Sequence, residues 1–456
     1  MYVNEHRWAR GTHRSIAFSR PATDAPGNVR VGIQTWGTEG DIRPCFSLAN
    51  ALRSRGHDVR IVYTNVEGRD FGDLARRCRV DATSVGSEYF EAHRDRLALR
   101  ATESFELGNP LEQLRRIASD LIDPVATDML AAGDSLAQDV DVMVVHFLAY
   151  PGFTAAERHR RPIVMIALAP AFASAHYAPI GFPALGRWLN PLSWKLAERI
   201  LESIFRDRAN RLRYSVGLAP IRGLARRNVT DTLLGLVAIS PALFPRPPDW
   251  ASNLHVSGFL NLPESAEPWE PDVALREFLD RGSPPAFLSF GSMFNLGHDR
   301  TVAAVRALAE SLPRARSRGI IQAPDAVIGD APRHDLVHYI TRAPHAKLFP
   351  RCSMIVHHGG AGTTQSALQA GRPSVVVPHA ADQFYWGDLL FSLGVASKPL
   401  RSTRLTPTRL AERIRYAIER PAMTERAAVL GRSLASERGP ERAVELIEAA
   451  MSASRG

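Results

Sequence analysis

The sequence predicts an α/β protein with parallel sheets, divided into two or three domains. Three observations carry that prediction. Apolar runs such as Val29-Arg-Val-Gly-Ile-Gln-Thr, Val59-Arg-Ile-Val-Tyr and Ala286-Phe-Leu-Ser-Phe alternate with helical patterns, as βα repeats do. A chain of 456 residues with 45% hydrophobic content can bury more than one core. Finally, the stretch 241–272 is proline-dense and resists regular structure, which marks it as an interdomain linker.

Composition narrows the function classes. The formal charge of +9 is almost all arginine, since Lys195, Lys347 and Lys398 are the only lysines, and the arginines are scattered through the chain. That pattern reads as a solvated surface and not as a nucleic-acid tract. Cys45, Cys78 and Cys352 are widely spaced with no metal-ligand pattern, which favours a reducing, cytoplasmic compartment. No apolar run approaches the ~18 residues of a membrane span, and the N-terminus lacks the apolar core of a signal peptide.

Residues 1–27 have no periodicity and are expected to be a disordered extension. The first strand opens into Trp36-Gly-Thr-Glu-Gly-Asp-Ile-Arg-Pro before a helix, with Pro44 near the helix start. A dinucleotide-binding loop would read GxGxxG with an acidic residue ending the second strand. Here the loop is Gly37-Thr-Glu-Gly and the second strand ends in Thr64-Asn65, which argues against NAD. Asp41 can serve as a general base if burial raises its pKa, or simply cap the helix. His57 reads as structural. His146 ends the strand Val140-Asp-Val-Met-Val-Val-His and is a candidate for a ligand pocket with Trp36, or a satisfied core histidine. Asp139-Val-Asp141 spells an acidic pair but precedes its strand, so no metal is assigned to it. A basic amphipathic helix runs from about Leu192 to Tyr214, flanked by Trp188 and Trp194; it packs on its own domain or, as a second reading, touches an anionic membrane.

Past the linker, a strand leads to the turn Gly291-Ser292-Met293. The stretch from Ile355 to Gln383 then reads strand, glycine turn, helix, strand. Gly359, Gly360 and Gly362 let the backbone turn and approach a ligand, Thr363 and Thr364 suit a helix N-cap, and the free N–H groups of that helix start would face an anion such as phosphate, with His357 and His358 beside it. An ordinary βαβ turn with two incidental histidines fits the same residues.

His357-His-Gly-Gly-Ala-Gly-Thr-Thr with the later Ala381-Asp-Gln resembles the donor-binding signature of family 1 nucleotide-sugar glycosyltransferases, and within them the bacterial branch of antibiotic and sterol-type enzymes. The resemblance implies the GT-B fold: two Rossmann-like domains with parallel sheets facing each other across a cleft. An acceptor domain would span 28–240, a nucleotide-sugar domain 273–435, and a C-terminal helix within 436–456 would return to the first domain. It also implies roles. Gly40-Asp41-Ile-Arg-Pro44 matches the Gly-His-x-x-Pro segment whose histidine deprotonates the acceptor in plant and animal members, which puts Asp41 in that place. Gly291 and Ser292 resemble the loop under the donor diphosphate. Arg342 stands where plant members stack a tryptophan on uracil, so UDP and dTDP sugars both stay open. His357 matches the histidine that contacts the donor phosphate, Gly362 and Thr363 the groups that hold the diphosphate, and Asp382 and Gln383 the pair that binds sugar hydroxyls.

The expected activity is therefore inverting transfer of a hexose or deoxyhexose from a nucleoside diphosphate sugar to a hydroxyl of a lipophilic or natural-product acceptor. No cofactor or metal is expected beyond the nucleotide-sugar co-substrate. A silent GT-B homologue acting as an activator, and a nucleotide-sugar epimerase or hydrolase, are the alternatives.

Overall fold

The computed structural model of the chain describes residues 28–107, 110–224, 229–262, 269–295, 297–380 and 382–454. The extension 1–27 and residues 263–268 of the expected linker lie outside them. The described strands form two sheets whose pairings are all parallel. The first contains β1 (Arg30–Gly37), β2 (Asp58–Asn65), β3 (Asp81–Ser84), β4 (Val142–His146), β5 (Ile163–Ala167), β6 (Leu234–Val237) and β7 (Leu254–Val256), in the order β3-β2-β1-β4-β5-β6-β7. The second contains β8 (Ala286–Ser289), β9 (Gly319–Gln322), β10 (Val337–Ile340), β11 (Ile355–His357) and β12 (Ser374–Val376), in the order β10-β9-β8-β11-β12. The central strands are buried along almost their whole length, as expected where helices cover both faces of a parallel sheet. This is the GT-B architecture.

Three local expectations are corrected. Helix α1 spans Glu39–Ser54 with Thr38 at its N-cap, so Pro44 lies inside the helix and not at its start. Thr38 and Asp41 satisfy each other reciprocally as a capping box, and that pair sets the helix start five residues ahead of the proline. In the second half, the helix after the glycine turn, α3 below, is capped by Gly360, and Thr363 and Thr364 fall within its first turn. Part of the expected linker is sheet. β7 lies inside 241–272 and pairs with β6, because Leu254 faces inward there and its N–H closes a turn onto Ala251.

The helices that matter for the cleft are α1, α2 (Asn190–Ser215), α3 (Ala361–Gln369), α4 (Gln383–Ser392) and α5 (Gly439–Ala453). The last of these packs on α1. Ala443, Val444, Ile447 and Met451 are buried in the same core as Val31, Ile61 and Val144 of the first sheet. Glu448 on α5 accepts from Arg55 Nη2 at 2.8 Å and meets His57 Nε2 at 3.0 Å, while His57 Nδ1 accepts from the Val29 N–H at 3.3 Å. Among the described residues no helix is long and apolar enough to cross a membrane.

Because Ile447 is 2% exposed in the first sheet's core, truncating it to alanine should destabilise that half by about 2–5 kcal/mol. Denaturant unfolding of Ile447→Ala followed by tryptophan fluorescence checks this; an unshifted midpoint would mean the helix is not part of that core.

Candidate active site

Each sheet has one point where the strand order reverses. β1 lies between β2 and β4, and β8 between β9 and β11, so a crevice opens at the carboxyl ends of β1 and β4 and another at those of β8 and β11. Both crevices open onto one cleft of about 2630 Å³. That is several times the roughly 300–1,000 Å³ of a site for one drug-sized ligand, and so gives room for two substrates.

On the first side, Asp41 enters the cleft from the first turn of α1. The Thr38 N–H and hydroxyl both donate to its Oδ2, at 2.8 and 2.9 Å. The carboxylate folds back over Gly37, where an added Cβ would lie 2.3 Å from Oδ2 and where φ is +133°. Oδ1 is turned toward His146, whose Nε2 is 3.8 Å away. Burial raises the Asp41 carboxyl above the usual aspartate value, and the two Thr38 hydrogen bonds draw it part of the way back. His146 closes β4; burial lowers it to about 4, so near neutral pH it meets Asp41 as a neutral imidazole. Neither of its ring nitrogens has a hydrogen-bond partner among the described residues, and neither has the indole N–H of Trp36, whose ring centroid lies 6.2 Å from that of His146. Past these polar groups the wall is apolar, with Leu114, Ile117, Leu121, Leu148, Trp194 and Phe205. Ile117–Ile122 forms a π-helical turn, a rare geometry that recurs at functional sites.

On the second side, the first intrahelical bond of α3 is Thr364 N–H to Gly360 O, at 2.9 Å. The N–H groups of Ala361, Gly362 and Thr363 precede it, and all three residues line the cleft. They form the positive end of the helix dipole. Of the adjacent pair, His358 lines the cleft and His357 does not. His357 is the last residue of β11; it is fully buried, its Nδ1 accepts from the Gly359 N–H at 3.1 Å, and burial lowers it to about 3. His358, the first residue past the strand, is the one released into the crevice. Its imidazole sits between two glycines: an added Cβ would come within 3.0 Å of the ring at Gly291 and within 2.5 Å at Gly360. Burial, and then the neighbouring His357, His379 and His345, hold His358 well below the ordinary histidine value.

Gly291, Ser292, Gly360, Gly362, Thr363, Asp382 and Gln383 all line this side of the cleft, whereas Gly359, like His357, does not. An added Cβ at Gly359 would lie 2.8 Å from Val376 and 2.9 Å from the Gln383 carbonyl, so this glycine serves packing beneath the turn. Asp382 accepts from the Trp386 indole N–H at 3.0 Å. Burial raises Asp382 to about 6; the Trp386 bond lowers it, and the Asp41 charge across the cleft raises it again. Gln383 spends its amide oxygen on the backbone N–H groups of His379 and Ala380, at 2.8 and 3.2 Å. Arg342 is on the cleft wall with its side chain 67% exposed, and its Nη2 lies 3.8 Å from Oε1 of Glu39 at the start of α1. Sequence reading overlooked Glu39, which also pairs with Arg43 and Arg69. The available signal was its place as first residue of the helix after β1. The acidic pair is accounted for: Asp141 binds Arg30 at 2.7 Å and Asp139 lies 3.4 Å from Arg60.

Against known proteins, residues 325–450 match the family described as erythromycin biosynthesis protein CIII-like, C-terminal domain. The chain is 29% identical to the O-mycaminosyltylonolide 6-deoxyallosyltransferase of Streptomyces fradiae, over 92% of its own length and 97% of that protein's. It is 27% identical to a sterol 3-beta-glucosyltransferase of Arabidopsis thaliana over 90% of its length, and spans 63% of that longer relative. Among solved structures it resembles the calicheamicin glycosyltransferase CalG4, with TM-score 0.64, 21% identity and coverage of 94% of this chain and 100% of that one. It also resembles glycosyltransferase VinC in complex with dTDP, with TM-score 0.63, 22% identity and coverage of 94% and 100%.

The buried imidazoles set a pH dependence. His146, His345 and His379 are lowered to about 4, His357 to about 3, and His358 well below the ordinary value. The unfolded chain takes up these protons near pH 6.5 and the folded one does not, so stability is lost as pH falls from about 6.5 toward 4. Asp382, Asp41, Glu67 and Glu437 are raised and oppose this, because the folded state keeps protons the unfolded chain has released. Glu448 and Asp249 are lowered and add to the histidine sign. Calorimetry should show Tm falling between pH 7 and pH 5; a flat or rising Tm would mean the imidazoles are hydrated and protonated in the folded protein.

Proposed function

We propose that this chain, a GT-B protein homologous along nearly its whole length to antibiotic and sterol glycosyltransferases, transfers a hexose or deoxyhexose from a nucleoside diphosphate sugar to a hydroxyl of a lipophilic acceptor, with inversion. The observation that carries this reading is that Asp41 and the N-terminus of α3 line one cleft from opposite sides. The apolar wall behind Asp41 suits a lipophilic acceptor, and the free N–H groups of α3 suit a diphosphate. The bound dTDP of VinC supports a pyrimidine nucleotide, with UDP and dTDP both open.

In this mechanism the Asp41 carboxylate takes the proton of the acceptor hydroxyl. The oxygen attacks the anomeric carbon from the face opposite the diphosphate, and the bond to the phosphate oxygen breaks with its electron pair. The leaving diphosphate moves onto the positive end of α3, beside Ser292 and the neutral imidazole of His358, which can donate one N–H. Asp382 and the Nε2 of Gln383 hold sugar hydroxyls. His146 stands beside the base, its Nε2 3.8 Å from Asp41 Oδ1, outside hydrogen-bond reach. A base with a raised pKa is matched to this task, because it accepts a proton more readily than an ordinary aspartate.

Asp41→Asn keeps the shape of the helix cap and removes the base, so kcat should fall by about 10²–10⁴-fold with the donor KM little changed. In the wild type, kcat/KM should rise with pH through the raised Asp41 value, later than an unperturbed aspartate would allow. Steady-state kinetics with a donor panel and mass-spectrometric product detection checks both, and near wild-type turnover by the variant would remove the assignment. Replacing His358 by alanine should cost about 10²-fold in kcat/KM through lost support for the leaving group. Nucleotide sugar supplied without acceptor should stay intact; its turnover alone would indicate an epimerase or hydrolase.

A further inference from the structure

Helix α2 has two faces of different character. One is buried on the first domain through Trp194, Ala197, Ile204 and Phe205. The other leaves Leu192 and Leu196 at 58% and 51% exposure, and the turn before it adds Leu185 at 50%, Trp188 at 90% and Leu189 at 48%. The spacing of three and four residues puts these side chains on one stripe. Single exposed leucines are ordinary; a continuous stripe with a tryptophan at its end is not.

The turn that carries Trp188 is held in place. The Gly186 carbonyl accepts from the N–H groups of Leu189 and Asn190, at 3.1 and 2.9 Å. The buried Asn190 amide accepts from the Leu185 N–H at 3.2 Å and donates to the Ala175 carbonyl at 3.0 Å. Trp188 is thus presented outward by an ordered turn.

The charges around the stripe are basic on the outside. Lys195 and Arg199 are exposed beside the leucines, and Arg187 stands next to Trp188. Of the acids in this stretch, Glu198 lines the cleft and Glu202 accepts from the N–H groups of Gly223 and Leu224. The same segment is also the lip of the cleft: Gly186, Arg187, Asn190 and Trp194 line it, next to the outward-facing residues.

We propose that residues 183–199 are a membrane-docking surface, which rests on an anionic lipid bilayer and lets a lipophilic acceptor pass from the bilayer into the cleft. Leucines reach the acyl boundary, Trp188 sits at the headgroup level, and Arg187, Lys195 and Arg199 meet lipid phosphates. A protein partner or a second copy would cover an apolar stripe equally well, but the basic flank and the continuity with an apolar cleft favour lipid. The acceptor's route rests on the transferase reading above; the docking does not.

The test is co-sedimentation of the full chain with vesicles of phosphatidylcholine alone and of phosphatidylcholine mixed with phosphatidylglycerol. The protein should sediment with the anionic vesicles, with binding that weakens as salt rises. The triple variant Trp188→Ser, Leu192→Asp, Leu196→Asp touches only exposed side chains and should lower the partition by about tenfold or more, with its thermal melt unchanged. Wild-type protein that stays in the supernatant overturns the inference, as does a variant that binds like wild type. A wild-type dimer in light scattering that the variant disperses, without vesicle binding, assigns the stripe to a second copy and overturns it too. Vesicle binding by a protein that transfers no sugar would leave the docking intact and remove the enzymatic reading.

Discussion

The chemistry of this molecule depends on two crevices staying opposite each other, and an apolar seam keeps them so. Leu368 of α3, Val376 of β12 and Trp386 and Leu390 of α4 share one buried cluster with Val237, Ile239, Phe244 and Trp250 of the first half. Polar ties flank it. The Ser240 N–H donates to Gln365 on α3 at 3.0 Å, and Asn261 bonds Gln369 at the end of the same helix. The chain then returns through α5 to the first core. The helix whose start faces the cleft is therefore clamped along its far side, and its N–H groups are preorganised before any ligand arrives.

Burial is the common cause of the electrostatics in the cleft. It pushes the carboxyls of Asp41 and Asp382 up and the imidazoles of His146, His345, His357, His358 and His379 down. The net effect is a cluster of uncharged imidazoles, beside which helix dipoles and backbone N–H groups weigh more than they would in water. Arg342 and Glu39 span the rim, where solvent screens their attraction and their contribution is small.

Much of the fold was legible because parallel strands covered by helices on both faces are nearly continuous apolar runs, and β1, β2, β4, β5, β8 and β11 all carry that pattern. β7 was not, because three residues among prolines give no period to read. The start of α1 was misplaced toward Pro44, since an interior proline is rarer than one in the first turn, and the reciprocal bond between Thr38 and Asp41 is a fact of geometry that composition only permits. For the site, the glycine turn and its helix were readable from residue types alone. The choice between His357 and His358 was not: adjacent residues at a strand end differ by one step of the pleat, and only the position of the last ladder pair decides which faces the sheet and which the crevice.

By itself the sequence determined the α/β class, a division into at least two units, the phosphate-suited glycine turn and a carboxylate shortly after the first strand, because these follow from local periodicity and residue chemistry. Only the tertiary structure decided that both reversal points of strand order open onto the same cleft, that His358 lines it while His357 is sealed beneath, and that the stripe on α2 is left outward at its lip. Those facts depend on which strands neighbour which and how two sheets are pressed together, and contacts between residues far apart in the chain leave no local period from which to read them.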